Sequence, residues 1–278
     1  MEDIDKLLLN FLNEDIGEID ITSNILPKSI IDAYIICKED AIIAGIDESI
    51  RIFELVNCKA IALVNDGDKV KKDNKILSIR GYTYQILSAE RTVLNILMRM
   101  SGIATLTRAY IDVIKDINPK IRIAGTRKTA PGLRYFDKKA VRIGNGYTHR
   151  YKLDEMVLLK DNHLAILGSI TKGIKLAKEY YGDKYAIEVE VRTLNEAIEA
   201  IENNANIIML DNLRADEVYD IVSTLKSKGL RDKVKIEVSG GINMSNIRDY
   251  AKADIDIISI GALTHSVKAI DLSLEVKL

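Results

Sequence analysis

Eight lysines and arginines fall between Arg127 and Lys152, against a single acid, Asp137. The chain as a whole is balanced, with 40 basic and 41 acidic residues and a net charge of −1, so the excess is local. Arginine suits bidentate capture of carboxylate or phosphate, and lysine adds a point charge. A run of charge by itself is more often a solvated face. Three details favour a site between Thr126 and His163 for a small polyanion. The stretch begins and ends where apolar strands end. It contains Pro131-Gly132 and Gly144-Asn145-Gly146, where backbone can approach a ligand closely. It also holds two of the three histidines, His149 and His163.

A second group is acidic. Glu188 and Glu190 share one face of a strand by its two-residue period, and Asp211 ends the next strand. Carboxylates at neighbouring strand ends beside a basic site suit Mg²⁺ carrying a phosphate ligand; pairing with nearby lysines or arginines explains them equally well. Spacing does not choose between Glu188 and Glu190. A third group is Ser239-Gly240-Gly241 after one strand and Gly261-Ala262-Leu263 after the next. Glycines there expose backbone N–H groups that can hold a phosphate. His265 follows and reads as a surface residue or an aid to that phosphate.

These residues need a scaffold that brings strand ends together. From residue 120 short apolar strands alternate with amphipathic helices: 122–126, 155–159, 186–191, 206–210, 235–240 and 256–261, with helices over 170–181, 193–203, 214–228 and 244–252 between them. Such alternation predicts parallel strands with crossover helices. Every strand ends in polar residues or glycine, so all contribute to one rim, as in an α/β barrel; an open doubly wound sheet would concentrate them at one switch point. Before this, residues 1–15 and 88–115 carry helical spacing, and 30–86 read as short strands and hairpins. The expected domains are 1–110, with 269–278 as candidates to return to it, and 111–268.

Composition excludes several classes. The charge balance gives nothing to steer the chain to nucleic acid or a membrane, and no apolar run approaches the ~20 residues that span a bilayer. Cys37 and Cys58 have no metal or redox spacing and suit a reducing compartment. With an acidic start and no basic leader, a cytoplasmic location is expected. There is no Walker A loop, zinc cluster or Gly-x-Ser-x-Gly elbow.

The ordered motifs EDIGEIDIT, ERTVLNILMRMSGIAT (90–105), TRKTAPGLR (126–134), HRYKLDEMVLLKDNH (149–163), IEVEV (187–191), LDN (210–212), VSGGI (238–242) and SIGALTHS (259–266) resemble the quinolinate phosphoribosyltransferase family nearly end to end. The resemblance implies an α/β fold: an N-terminal α/β sandwich followed by an incomplete parallel α/β barrel of the type II phosphoribosyltransferase kind. It implies Mg²⁺-dependent transfer of phosphoribosyl from phosphoribosyl pyrophosphate to quinolinate, with decarboxylation, giving nicotinate mononucleotide in NAD biosynthesis. Carried over, Arg127, His149, Arg150 and Lys160 meet quinolinate, with Thr126 beside them. Lys128 faces the quinolinate and pyrophosphate region. Glu190 and Asp211 serve ribose and Mg²⁺. Ser239, Gly240, Gly241, Gly261, Ala262 and Leu263 form the 5′-phosphate site. Arg91 is the arginine that a partner subunit supplies, so at least a homodimer is expected. The run Gly144-Asn145-Gly146-Tyr147-Thr148 departs from the family's usual three glycines. The competing readings are a paralogous phosphoribosyltransferase of the molybdate-operon type, one acting on another pyridine acid such as nicotinate, a barrel isomerase or aldolase acting on a phosphosugar, and a non-catalytic anion-binding protein on the same fold.

Overall fold

The structure is a computed structural model that describes residues 2–277. The chain divides into two compact units. The first comprises residues 1–106, 135–145 and 267–278, and the second 107–134 and 146–266.

In the first unit, strands β1 (Ile30–Cys37), β2 (Ala41–Ile42), β3 (Lys59–Ala62), β4 (Lys69–Val70) and β5 (Lys75–Tyr82) precede a 32-residue helix, Thr83–Ile114, whose residues to 106 belong to this unit. The sheet order is β12-β1-β5-β3, where β12 is Leu272–Lys277, and neighbours are antiparallel. Ala33, Ile35 and Cys37 alternate to one buried face of β1. Leu8 and Leu12 of the helix Glu2–Ile16, Ile52 and Phe53 of the helix Ile46–Leu55, and Val93 and Leu97 of the long helix are also buried. The result is the expected sheet-and-helix sandwich. The chain end docks by close approach: a β-carbon on Gly102 would run into the Lys268 carbonyl oxygen, and Ile270 N donates to Met98 O at 3.0 Å.

Two local readings change. Residues 46–55 form a helix where strands were expected, and β4 pairs with β2 rather than in a hairpin with β5. The helix begins because Asp66 Oδ1 accepts from the N–H groups of Gly45 (2.8 Å) and Ile46 (2.9 Å), which would otherwise lack partners. The segment Tyr135–Asn145, assigned by sequence to the barrel, belongs with the first unit. It takes Lys138, Lys139 and Arg142 out of the basic stretch. Asp137 forms a fork with Arg99 at 2.7 and 2.9 Å, Lys139 pairs with Glu48 at 2.8 Å, and the Phe136 and Phe11 rings are 5.7 Å apart.

The second unit holds β6 (Arg122–Gly125), β7 (Val157–Leu159), β8 (Ile187–Val191), β9 (Ile207–Asp211), β10 (Lys235–Ser239) and β11 (Ile257–Ile260). All pairings are parallel, in the order β6-β11-β10-β9-β8-β7. This is the cyclic order of a barrel, joined between last strand and first and left open between β6 and β7. An open doubly wound sheet would reverse its order partway. The free edge of β6 instead carries a short bridge: Tyr147 N donates to Ile123 O, and Gly125 N to Tyr147 O. Strand residues of one parity, among them Val189, Ile208, Leu210, Ile236 and Val238, are buried aliphatics. Residues of the other parity, such as Glu190, Asp211, Glu237 and Ser239, line a cleft. Among the described residues no helix is long and apolar enough to cross a membrane.

Candidate active site

The cleft at the carboxyl ends of the barrel strands has a volume near 480 Å³. It brings together ten of the residues singled out by sequence: Thr126, Arg127, Lys128, His149, Arg150, Lys160, Glu190, Asp211, Ser239 and Gly240. Gly241, Gly261, Ala262 and Leu263 lie outside its lining, and Leu263 is fully buried. Arg91 is exposed on the long helix of the first unit.

One side of the cleft is cationic. Arg127 and Lys128 follow β6 directly, and the Lys128 carbonyl is tied to the loop after β11 by Thr264 Oγ1 at 2.9 Å. Arg127 Nε is buried without a hydrogen-bond partner, a donor set aside for a ligand. Arg150 is buried and donates to Met156 O at 3.4 Å. Burial, then the nearby Arg127 charge, pull its pKa below the usual guanidinium range. Two cations held together at such a cost are relieved by an anionic guest.

The other side is acidic. Lys160 follows β7 and pairs with Glu190 Oε1, and Asp161 N donates to Glu190 Oε2 at 3.3 Å. Burial and then the Glu190 charge raise the pKa of Asp211, with Lys160 and Arg192 opposing. Asn212 steers Asp211: its Nδ2 donates to Asp211 Oδ2 at 2.7 Å, while its own backbone sits at φ +56°. Of the two acids that spacing left equivalent, Glu190 lines the cleft, whereas Glu188 is fully buried.

Beneath the cleft, His149 Nε2 lies 3.1 Å from Glu237 Oε2 and 3.3 Å from Glu188 Oε2. These are ion-pair distances, although the atoms are not aligned as hydrogen bonds. Burial alone would depress the imidazolium, but Glu188 and Glu237 outweigh it and hold the His149 pKa at about 9. Burial raises the pKa of Glu188, and the His149 contact opposes this. The donor atoms of the three residues lie within 4.8 Å of one another, compact enough for a cation, and a protonated imidazole supplies that charge.

Sequence reasoning passed over Glu237, Asp161, Arg192, Asn212 and Ser259, all of which line the cleft. Glu237 had a signal. The Ile-Glu-Val triplet of KIEVS repeats that of IEVEV, and an acid within such an apolar strand is costly unless it serves a purpose.

An open parallel barrel with an arginine- and lysine-lined cleft facing two carboxylates defines an α/β-barrel protein built for small polyanions. The family model described as quinolinate phosphoribosyl transferase, C-terminal domain, matches residues 103–275, and that for the N-terminal domain matches residues 20–101. The chain belongs to the quinolinate phosphoribosyltransferase family. It is 44% identical over 275 residues to a probable nicotinate-nucleotide pyrophosphorylase [carboxylating] of Methanocaldococcus jannaschii, covering 98% of this chain and 96% of that protein. It is 34% identical to the nicotinate-nucleotide pyrophosphorylase [carboxylating] of Rattus norvegicus, over 96% and 88% of the two chains. The structure of the nicotinate-nucleotide pyrophosphorylase from Francisella tularensis superimposes with a TM-score of 0.93 at 36% identity, covering 100% of this chain and 97% of the other.

Proposed function

We propose that this protein transfers the phosphoribosyl group of phosphoribosyl pyrophosphate to quinolinate, with loss of CO₂, giving nicotinate mononucleotide and pyrophosphate. The observation that carries the reading is the division of one cleft into a cationic side, Arg127, Lys128 and Arg150 with His149 beside them, and an acidic side, Glu190 and Asp211, on which Lys160 pairs with Glu190. A pyridine dicarboxylate matches the first, and a sugar that turns cationic during transfer matches the second.

The cations hold the dianion so that its ring nitrogen faces the sugar, which lowers the entropic part of the barrier. The C1–oxygen bond to pyrophosphate breaks as the nitrogen–C1 bond forms. Lys128 neutralises charge on the departing pyrophosphate, and Glu190 and Asp211 face the sugar's growing positive charge. The electron pair released when the bond from C2 to its carboxylate breaks stays on C2, stabilised there by the positive charge of the adjacent pyridinium nitrogen, and that pair takes a proton from solvent in place of CO₂. No covalent enzyme intermediate is required.

Mg²⁺ fits the acidic side, because a divalent cation would relieve the raised Asp211 carboxyl beside Glu190. These two residues would hold it, directly or through water, and when bound it would stabilise phosphate charge. The Ser239-Gly240 turn suits the 5′-phosphate, with the loop at Gly261 beside it. We assign Arg91 to a partner's cleft in at least a homodimer. Free, buried Cys37 and Cys58 support a cytoplasmic location.

Purified protein incubated with quinolinate, phosphoribosyl pyrophosphate and Mg²⁺ is expected to form nicotinate mononucleotide and release label from the 2-carboxyl group as CO₂. Equal turnover of nicotinate, or no product from quinolinate, would refute the assignment.

A further inference from the structure

Glu188 and Glu237 take no part in the chemistry described above. They project from β8 and β10, with β9 between them, and both are fully buried. Two acids inside a barrel weaken folding unless they are compensated. Aliphatic side chains fill the other parity of the same strands, so the fold has no evident need of acids here. What meets them is His149 Nε2, at 3.3 and 3.1 Å.

His149 is brought to them deliberately. Two residues earlier, Tyr147 is clamped to the β6 edge by two backbone hydrogen bonds. His149 then adopts φ +50°, a left-handed conformation that is uncommon for a non-glycine residue and marks a position held by its surroundings.

The chemistry of imidazole supplies the reason. With Nε2 turned to the two acids, Nδ1 is left for a ligand. In a neutral ring whose Nε2 carries the proton, Nδ1 is an acceptor and would repel a carboxylate. Only the imidazolium donates from both nitrogens. Arg127, Arg150 and Lys160 share the cleft and work against that charge, and two carboxylates beneath the ring counter them.

We propose that Glu237, together with Glu188, is a positioning residue that grips His149 Nε2 from below and keeps the ring an imidazolium, so that Nδ1–H donates to a carboxylate of the pyridine dicarboxylate. The carboxylate acceptor rests on the quinolinate reading above; the pairing of Glu237 with His149 does not.

The test is Glu237→Gln in the full-length protein. The expected result is a quinolinate KM raised about tenfold or more, the scale of a charged hydrogen bond, with the phosphoribosyl pyrophosphate KM nearly unchanged. His149→Ala combined with Glu237→Gln is expected to be no worse for quinolinate than His149→Ala alone, because both changes remove one interaction. Additive effects, an equal rise in both KM values, or an unchanged quinolinate KM would overturn the proposal. If Glu237→Gln does not fold, Glu188→Gln carries the same expectations. A second readout needs no substrate: the ¹⁵N shifts of the His149 ring at neutral pH are expected to move from the imidazolium to the neutral pattern in Glu237→Gln, and unmoved shifts overturn the pairing. Lack of wild-type turnover with quinolinate refutes the substrate reading instead, and the ring shifts then decide the pairing alone.

Discussion

Gly240 is packed so closely against Asn212 that a β-carbon on it would fall 2.6 Å from Asn212 Cγ and 2.8 Å from the Asn212 backbone nitrogen. Its φ of +94° also disfavours any other residue. Asn212 in turn donates from its side chain to Asp211 and from its backbone N–H to Ser239 O at 2.9 Å. The proposed phosphate turn and the proposed sugar-facing acid are therefore one mechanical unit. Gly240→Ala is expected to cost on the order of 1–3 kcal/mol in strain. It should raise the KM for phosphoribosyl pyrophosphate and lower kcat, because Asn212 must move and Asp211 with it. Steady-state kinetics beside a thermal melt check this; a variant with wild-type kinetics would show that the turn is not coupled to Asp211.

Arg127 offers a sharper probe of the cationic side, since its buried Nε has no protein partner to lose. Removing a buried charged donor from a bound anion costs roughly 2–5 kcal/mol. Arg127→Ala should therefore raise the quinolinate KM by more than an order of magnitude. Arg127→Lys should recover little, because lysine keeps the charge but loses the planar fork. Full recovery by lysine would mean that the site uses Arg127 only as a point charge.

The barrel was legible because its signal is local. Each strand from Arg122 to Ile260 is a short apolar run closed by polar residues, and each crossover carries helical spacing, so period and order sufficed. What sequence could not show depends on distant partners. The helix Ile46–Leu55 starts on Asp66, twenty residues later in the chain. The basic stretch looked continuous, yet Lys139 answers Glu48 and Asp47, about ninety residues earlier in the chain and in the same first unit. Family motifs found many of the cleft residues, but Glu237 is a buried acid in its wall, where only the meeting of β8, β10 and the His149 loop gives it meaning.

His149 sets an alkaline limit. Its pKa, at about 9 when folded, lies above the ordinary value of 6.5. The stability it contributes is therefore fully present below about pH 6.5 and is lost as pH rises through 9. In the role proposed for His149, the same proton donates to the substrate. Quinolinate KM is expected to stay flat to about pH 8 and to rise above 9, with Glu188, Glu237, Arg127, Arg150 and Lys160 the charged groups that set the midpoint. Initial rates across pH 6–10 test this; a rise already complete at pH 7 would mean that the acids do not hold the proton.

Arg231 tests the other end of the barrel, away from substrate. It is buried and donates from Nε to Asp254 O at 2.6 Å, from Nη1 to Val234 O at 3.1 Å and from Nη2 to Asp256 Oδ2 at 2.9 Å. Asp256 Oδ2 also accepts from Ile236 N at 2.8 Å, so one arginine joins the starts of β10 and β11. Arg231→Met removes the guanidinium donor from each of these acceptors, leaving Asp256 Oδ2 with the Ile236 N–H, and should destabilise by roughly 2–4 kcal/mol. The melting temperature should fall while both KM values at 25 °C stay close to wild type. Altered substrate KM would tie this end of the barrel to the cleft.

Arg91 is the residue whose proposed role depends on a second copy of the chain. It is exposed on the helix Thr83–Ile114, and an exposed arginine that served only its own surface would change little when removed. If it completes a partner's cleft, Arg91→Ala should lose quinolinate affinity without losing stability. Glu190→Gln should be inactive for a separate reason, in its own cleft. Mixing the two inactive variants and allowing subunits to exchange then has a definite consequence. A mixed dimer contains one cleft with an intact Glu190 facing an intact Arg91 from its neighbour, and it should recover up to about half the wild-type activity per dimer, because one of two symmetric sites is restored. Sedimentation should show at least a dimer throughout. Full activity of Arg91→Ala alone, or no recovery on mixing despite proven exchange, would remove Arg91 from the partner's site.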